Sequence, residues 1–126
     1  MLKEMIISII IVVSIVLLDV VTQRYTDESV SQTSSMLTDL KEKISRGEDD
    51  LNNNLKEIAN RWDKKRKKLA YFIEHDELEK VDVNLTNLKS YIDVSDFDMA
   101  VYSIDEAEYI LEHIKQKNSF SLVNVF

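Results

Sequence analysis

The chain has 126 residues, enough for one small domain, and a net charge of -7 from 23 acidic and 16 basic residues. Most of its basic residues are scattered, so the sequence predicts no nucleic-acid surface. The absence of cysteine excludes disulfides, thiolate catalysis and sulfur-ligated metal sites. A single glycine, Gly47, and the absence of proline favour helices over the tight turns of β-folds.

An apolar segment near the N-terminus predicts a membrane anchor. Residues 5–18 carry no charge, and Val20 and Val21 extend the segment past Asp19 to 17 residues. That length is about the minimum for a helix that crosses ~30 Å of hydrocarbon. The exit sequence LLDVVTQRY has only bulky residues where a cleavage site needs small ones, so a retained anchor is favoured over the alternative, a removable signal peptide.

The residues that flank this segment predict its orientation. Lys3 and the free amine precede it, whereas Asp19, Arg24, Asp27 and Glu28 follow it. Basic flanks stay on the cytoplasmic side of a membrane, so a cytoplasmic N-terminus is expected. The predicted organisation is an anchor over residues 1–24 and an extracytoplasmic domain over residues 25–126.

Apolar residues at helical spacing predict an all-α domain, a small antiparallel bundle of about four helices. After a polar stretch, the first helix carries Leu37, Leu40 and Ile44 and ends at Gly47. The apolar positions of the other three helices are Leu51, Leu55, Ile58, Trp62, Leu69 and Ile73; Val81, Leu85, Leu88 and Ile92; and Met99, Ala100, Ile104, Ala107, Ile110, Leu111 and Ile114.

Capping residues predict where these helices begin. Asp49 or Asp50 is the expected cap of the second helix. A capping box with Asp76 and Glu79 is expected at the third helix, and Ser95 and Asp98 suit the start of the fourth. The aromatic residues are expected to serve packing, with Trp62 in the core and Tyr71, Tyr91 and Tyr109 at its edges.

A shift of 48 positions aligns the two halves of the predicted domain. It places Leu37 on Leu85 and Leu40 on Leu88, and the turn at Gly47 falls on Ser95. Two similar αα-hairpins related by duplication are one interpretation. A chance match between two amphipathic stretches is the other.

The most concentrated charge in the domain is the basic run Lys64, Lys65, Arg66, Lys67 and Lys68. If the first helix rises directly from the membrane, Lys68 is expected opposite about Asp27, roughly 9 Å above the span. The run is then a candidate contact for anionic lipid or another polyanion. The alternative is a solvated face paired with acids such as Asp27 and Glu28.

The C-terminal sequence NSFSLVNVF is too apolar for a solvated terminus. One expectation is that it folds back onto the helices. The sharper hypothesis is that Phe120, Leu122 and Phe126 contact a partner by entering its groove.

No arrangement of residues predicts catalysis, a cofactor or a bound metal. His75 and His113 have acidic neighbours but fit no metal-binding spacing, and one glycine excludes phosphate-binding and dinucleotide loops. The sequence therefore predicts no enzyme and shows no sign of a small-molecule substrate.

Several positions together resemble a known family. They are Trp62 followed by lysines, His75 with Glu77 and Leu78, then Leu85, Leu88 and Tyr91, the pair His113-Ile114, and the terminal Leu122-Val123-Asn124. With the short hydrophobic start, they resemble the domain-of-unknown-function 4363 family of clostridia and relatives. The resemblance implies a bacterial membrane protein, with Trp62, His75, His113 and Asn124 at characteristic positions, and it implies no activity.

The functional hypothesis is a non-enzymatic interaction module at the outer face of a bacterial plasma membrane, acting on another membrane protein. The alternative is a membrane-surface sensor that reads anionic lipid or wall polymer through Lys64 to Lys68.

Overall fold

The fold is an antiparallel bundle of four helices, seen in a computed structural model that describes residues 1–125, with side chains described up to Asn118. The helices are α1 (Leu2–Ser45), α2 (Leu51–Leu69), α3 (His75–Asp93) and α4 (Phe97–Val125). Each helix packs on its neighbour in the chain, and α4 closes the bundle against α1. The predicted all-α architecture of two αα-hairpins is confirmed.

The predicted anchor and the first bundle helix are one continuous helix. The 44 residues of α1 extend over about 66 Å, far more than a bilayer core requires. Its N-terminal part is long and apolar enough to cross a membrane by length and composition, and no residue before Tyr25 is buried. Residues 26–44 pack in the bundle, so the candidate span and the bundle share one continuous helix.

The core consists of one apolar stripe from each helix, as the spacing predicted. The buried apolar residues of the described part are Val30, Leu37, Leu40 and Ile44; Leu51, Leu55, Ile58, Trp62 and Leu69; Leu78, Val81, Leu85, Leu88 and Ile92; and Ala100, Ile104, Ala107, Leu111 and Ile114. Met99 was expected in this set but is exposed, while Ile73 and Ile110 are only partly buried.

The polar stretch before Leu37 is helical, and three of its small residues face the interior. Thr26, Ser29 and Thr33 are buried at the helical spacing that Leu37 and Leu40 continue. The hydroxyls of Thr26 and Thr33 donate to carbonyls one turn back, at 2.8 Å each. This local bonding lets a hydroxyl enter a core without an interhelical partner, and a small side chain brings the helices close together.

The two turns at the far end of the bundle have the same backbone geometry. Gly47 and Ser95 both adopt positive φ, 68° and 58°. The amides of Gly47 and Glu48 bond to the carbonyls of Ile44 and Lys43, and at the 48-residue offset Ser95 and Asp96 repeat both bonds. The predicted alignment of these turns is therefore confirmed in three dimensions.

Two of the three predicted helix caps are wrong, and the third is confirmed in position only. Asp50 stands at the N-cap of α2, but its side chain bonds to no backbone amide there. The box predicted at Asp76 is wrong, because α3 already begins at His75 with Glu74 as N-cap. The fourth helix is capped by Asp96, whose carboxylate accepts the amide of Met99 at 3.3 Å, rather than by Ser95.

Polar contacts on the surface set the register between α1 and α4. Lys41 Nζ lies 2.7 Å from Asp105 Oδ1, and the hydroxyl of Thr38 donates to Glu108 at 2.7 Å. The hydrogen bond and charge of Asp105 raise the pKa of Lys41 above its ordinary value.

Candidate functional site

The basic run divides into cations with different surroundings. Arg66 is half-buried, and its Nε donates to Asp82 Oδ2 at 2.5 Å. Lys65 donates to Gln32 on α1. Lys67 pairs with Asp63 at 3.2 Å across one exposed turn of α2. Part of the predicted charge is thus used to hold the bundle together.

The acids that these cations meet differ from those predicted. Asp63 and Asp82 pair with the run, whereas Asp27 and Glu28 form no ion pair with it among the described side chains. Lys64 has neither an ion pair nor a hydrogen bond among the described side chains.

Lys68 lies at the end of the bundle nearest the candidate span. Its Nζ is 5.9 Å from the centre of the Tyr25 ring, which in turn meets Phe72 edge-on at 6.3 Å. Tyr25 is four residues past Val21, so this contact lies roughly 6 Å above the predicted end of the span. Lys68 was predicted to lie opposite Asp27. It lies over Tyr25 instead, two residues closer to the span.

The same end of the bundle also carries exposed aromatic and acidic groups. Tyr71, expected at a core edge, is 89% exposed in the turn between α2 and α3. Glu74, His75 and Asp76 are exposed at the start of α3, at the same end of the bundle as Lys68. The resulting surface has a basic side on α2 and an acidic side on α3.

A long groove separates α2 from α3, the most loosely packed pair of neighbours in the bundle. It encloses about 700 Å³. Leu55, Ala59 and Leu85 provide apolar surface, and polar residues surround them. The lining residues are Asn52, Asn53, Leu55, Lys56, Ala59, Asn60, Trp62, Asp63, Asp82, Leu85, Thr86, Lys89 and Asp93.

One end of this α2–α3 groove is closed by a polar clamp around Asp82. One carboxylate oxygen accepts the indole N–H of Trp62 at 2.7 Å, and the other accepts Arg66. Trp62 is the core residue that the sequence predicted, and its ring is 2% exposed. Above it, the small side chain of Ala59 leaves the space between the helices open.

Sequence reasoning did not predict this groove. The pattern that signals it is Asn52 and Asn53 followed by Ala59, where short polar or small residues stand beside a core stripe. The predicted partner residues Phe120 and Leu122 belong to α4 but their side chains lie outside the described set, and Phe126 lies outside the described residues altogether.

The two histidines do not meet. His113 Nδ1 lies 3.3 Å from Glu77 Oε2, joining α4 to α3, while His75 is exposed near Glu79. Lys80 approaches the same Glu77 carboxylate at 3.7 Å. Among the described residues, no three His, Asp or Glu side chains converge as metal ligands.

Tyr109, also expected at a core edge, is 73% exposed on the outer face of α4. Tyr91 does pack against the core, as predicted.

Comparison with known proteins gives one informative result. No curated protein and no solved structure matches the chain. A family model described as a domain of unknown function, DUF4363, matches residues 20–125, from the last two residues of the predicted span to the end of α4. The chain therefore belongs to the DUF4363 family of domains of unknown function.

Proposed function

We propose that this chain is a non-enzymatic interaction module of a bacterial plasma membrane, anchored by residues 5–21, whose bundle binds another membrane protein. The observation that carries the proposal is the α2–α3 groove. An apolar floor with a polar rim suits an amphipathic helix, which lays its apolar face in such a groove. The continuous α1 supports the proposal, because it holds the groove at a fixed height above the candidate span.

That height limits the kind of partner. Lys43 donates to Asn54, and Lys65 donates to Gln32, so the groove lies between the levels of Gln32 and Lys43 on α1. These residues stand 11 and 22 positions past Val21, or about 16 and 33 Å along the helix. The partner must therefore present a helix outside the bilayer rather than within it.

Photocrosslinking in native membranes tests the proposal. The full-length chain would carry benzoylphenylalanine at Asn60, which lines the groove, or at Tyr109, on the outer face of α4. We expect one defined protein adduct from Asn60 and none from Tyr109. Adducts with lipid alone, or the same mixture from both sites, would contradict a partner in the groove.

A second candidate function is the recognition of anionic lipid headgroups. It is favoured by the position of Lys68 over Tyr25, with Lys64 and Lys67 exposed on the same helix and Tyr71 exposed nearby. Lysines within a Debye length of a headgroup contribute about 1 kcal/mol each on an anionic surface. The neighbouring acids at the start of α3 reduce this attraction.

Replacing Lys64, Lys67 and Lys68 with Gln tests lipid reading. If the lysines contact headgroups, phosphatidylglycerol will raise the unfolding temperature of the native chain in nanodiscs, and the triple variant will lose most of that increase. Lys56→Gln with Lys89→Gln is the control, because both residues line the groove. Equal increases in the native chain and the triple variant would exclude a sensor based on these lysines.

We also propose that the N-terminus is cytoplasmic and the bundle extracytoplasmic. Lys3, just before the span, supports this orientation. Alkaline phosphatase fused after Phe126 should then be active in the bacterial envelope. An inactive fusion, together with an active cytoplasmic reporter at the same position, would reverse the orientation.

A further inference from the structure

We propose that the last turns of α4 make a second membrane contact. Residues 119–125, called the foot below, would lie in the bilayer interface beside the end of the candidate span. The inference rests on the membrane anchoring proposed above, but it does not require a protein partner. It goes beyond the basic run, because the foot belongs to another helix and carries no charge.

The register between α1 and α4 places the foot at this level. Asp105 lies opposite Lys41, and Glu108 lies opposite Thr38. All α-helices have the same rise per residue. Two residues that lie equally far from a known contact, one on each antiparallel helix, are therefore at the same height along the bundle. Val125 is 20 residues beyond Asp105, and Val21 is 20 residues before Lys41. The end of α4 therefore reaches the level of Val21, the last residue of the predicted span.

The foot also projects beyond the rest of the bundle. Lys117 pairs with Glu74 at 3.0 Å, at the N-cap of α3. From Lys117 to Val125 the helix continues for eight residues, about 12 Å. Neither α2 nor α3 accompanies it there, since both end at the turn around residues 70–74. In the described part of the chain, α1 is the element left beside the foot.

The burial pattern of α1 agrees with a helix beside it at this level. Thr22 and Gln23, which fall opposite residues 124 and 123 in this register, are half-buried, as are Val16 and Asp19 below the end of the foot, whereas the other residues before Val21 are exposed. Their spacing continues the stripe that faces the bundle at Thr26. The half-buried Asp19 lies within the predicted span, so the stripe passes below the last contacts of the bundle.

Two polar atoms between α1 and α4, near the start of the foot, are inaccessible to water. Ser29 Oγ on α1 and Asn118 Nδ2 on α4 are both buried, and neither has a hydrogen-bond partner among the described residues. In the register above, Asn118 falls opposite residue 28. The contact between α1 and α4 is thus still tight where the foot begins.

The composition of the foot suits the bilayer interface. Phe120, Leu122, Val123 and Val125 are four of its seven residues, and the last charge before it is Lys117. Apolar and aromatic side chains partition to the boundary between headgroups and acyl chains, and a basic residue just outside favours the headgroups. A protein groove would have to fit between the bundle and the bilayer to reach the same residues, so lipid is the occupant that the geometry favours.

Site-specific fluorescence quenching in nanodiscs tests the foot in the full-length chain. The protein has no cysteine, so Ser121→Cys, Val20→Cys and Tyr109→Cys each create one labelling site for an environment-sensitive dye. The quencher is a lipid with a nitroxide near the headgroup end of its acyl chain. We expect the label at Ser121 to be quenched about as strongly as that at Val20, and at least about twice as strongly as that at Tyr109.

Labels at Ser121, Val20 and Tyr109 distinguish failure of the proposed foot from failure of the proposed anchor. Quenching at Val20 but not at Ser121 would overturn the foot and leave the anchor intact. No quenching at Val20 would overturn the anchor and the foot together. Asn124→Cys serves as a second foot site, and far-UV circular dichroism of every labelled variant verifies that the helices are intact.

Discussion

Removal of Leu2–Val21 is expected to move the protein from the membrane fraction to the soluble fraction. Of the 17 residues in the predicted span, 13 are Ile, Val or Leu, each contributing about 0.3–0.6 kcal/mol to insertion at the centre of a span. The deletion removes all of this favourable free energy of membrane insertion. It removes no buried side chain, because no residue before Tyr25 is buried, so the bundle should remain folded.

Ultracentrifugation after an alkaline wash measures this result, and circular dichroism of the truncated chain checks its helices. Replacing Ile10 and Val13 with Leu is the matched control, since it keeps the segment apolar and should leave the protein in the pellet. The truncated chain should be soluble even if the foot contacts lipid, because one apolar interfacial segment binds a membrane only weakly and reversibly. A truncated chain that stays in the washed pellet would show that residues 2–21 are not what holds the protein in the membrane.

The parts of the fold that could be predicted depend on local chemistry. Leu37, Leu40 and Trp62 lie in the core because apolar residues at helical spacing must be covered, and Gly47 marks a turn because it adopts positive φ without a Cβ penalty. The polar stretch was harder to interpret. Thr26 and Thr33 can be buried because their hydroxyls bond within their own helix, which a hydropathy pattern does not reveal.

The parts that could not be predicted depend on how the helices pack. The α2–α3 groove is closed at one end where Trp62 and Arg66 meet Asp82, and the small side chain of Ala59 leaves it open one turn above, an arrangement that depends on two helices together. Tyr109 suits a core edge by composition, but its position on α4 faces away from the core. The height of the basic run above the candidate span could be calculated from the sequence, because it depends only on the rise per residue of α1 and α2 and on the turn at Gly47.

Trp62→Ala is expected to cost about 3–5 kcal/mol of unfolding free energy, the range for a fully buried tryptophan. The ring is 2% exposed between α2 and α3, and its N–H bonds to Asp82 at 2.7 Å. The substitution removes the largest side chain of the core and deprives Asp82 of one donor. Because domains of this size have total stabilities of roughly 5–15 kcal/mol, this loss is a large share of the total and should lower the unfolding temperature clearly.

Thermal denaturation of the full-length chain, followed by far-UV circular dichroism in detergent, measures this loss. Tyr109→Ala removes an aromatic ring that is 73% exposed and should change stability by less than about 0.5 kcal/mol. Trp62→Phe keeps most of the packing and loses the hydrogen bond, which contributes about 1 kcal/mol, so it should lie between the other two. If Trp62→Ala were as stable as Tyr109→Ala, the clamp would not hold α2 against α3. If it alone loses several kcal/mol, Trp62 is a main contact that holds α2 against α3, the two helices that form the groove.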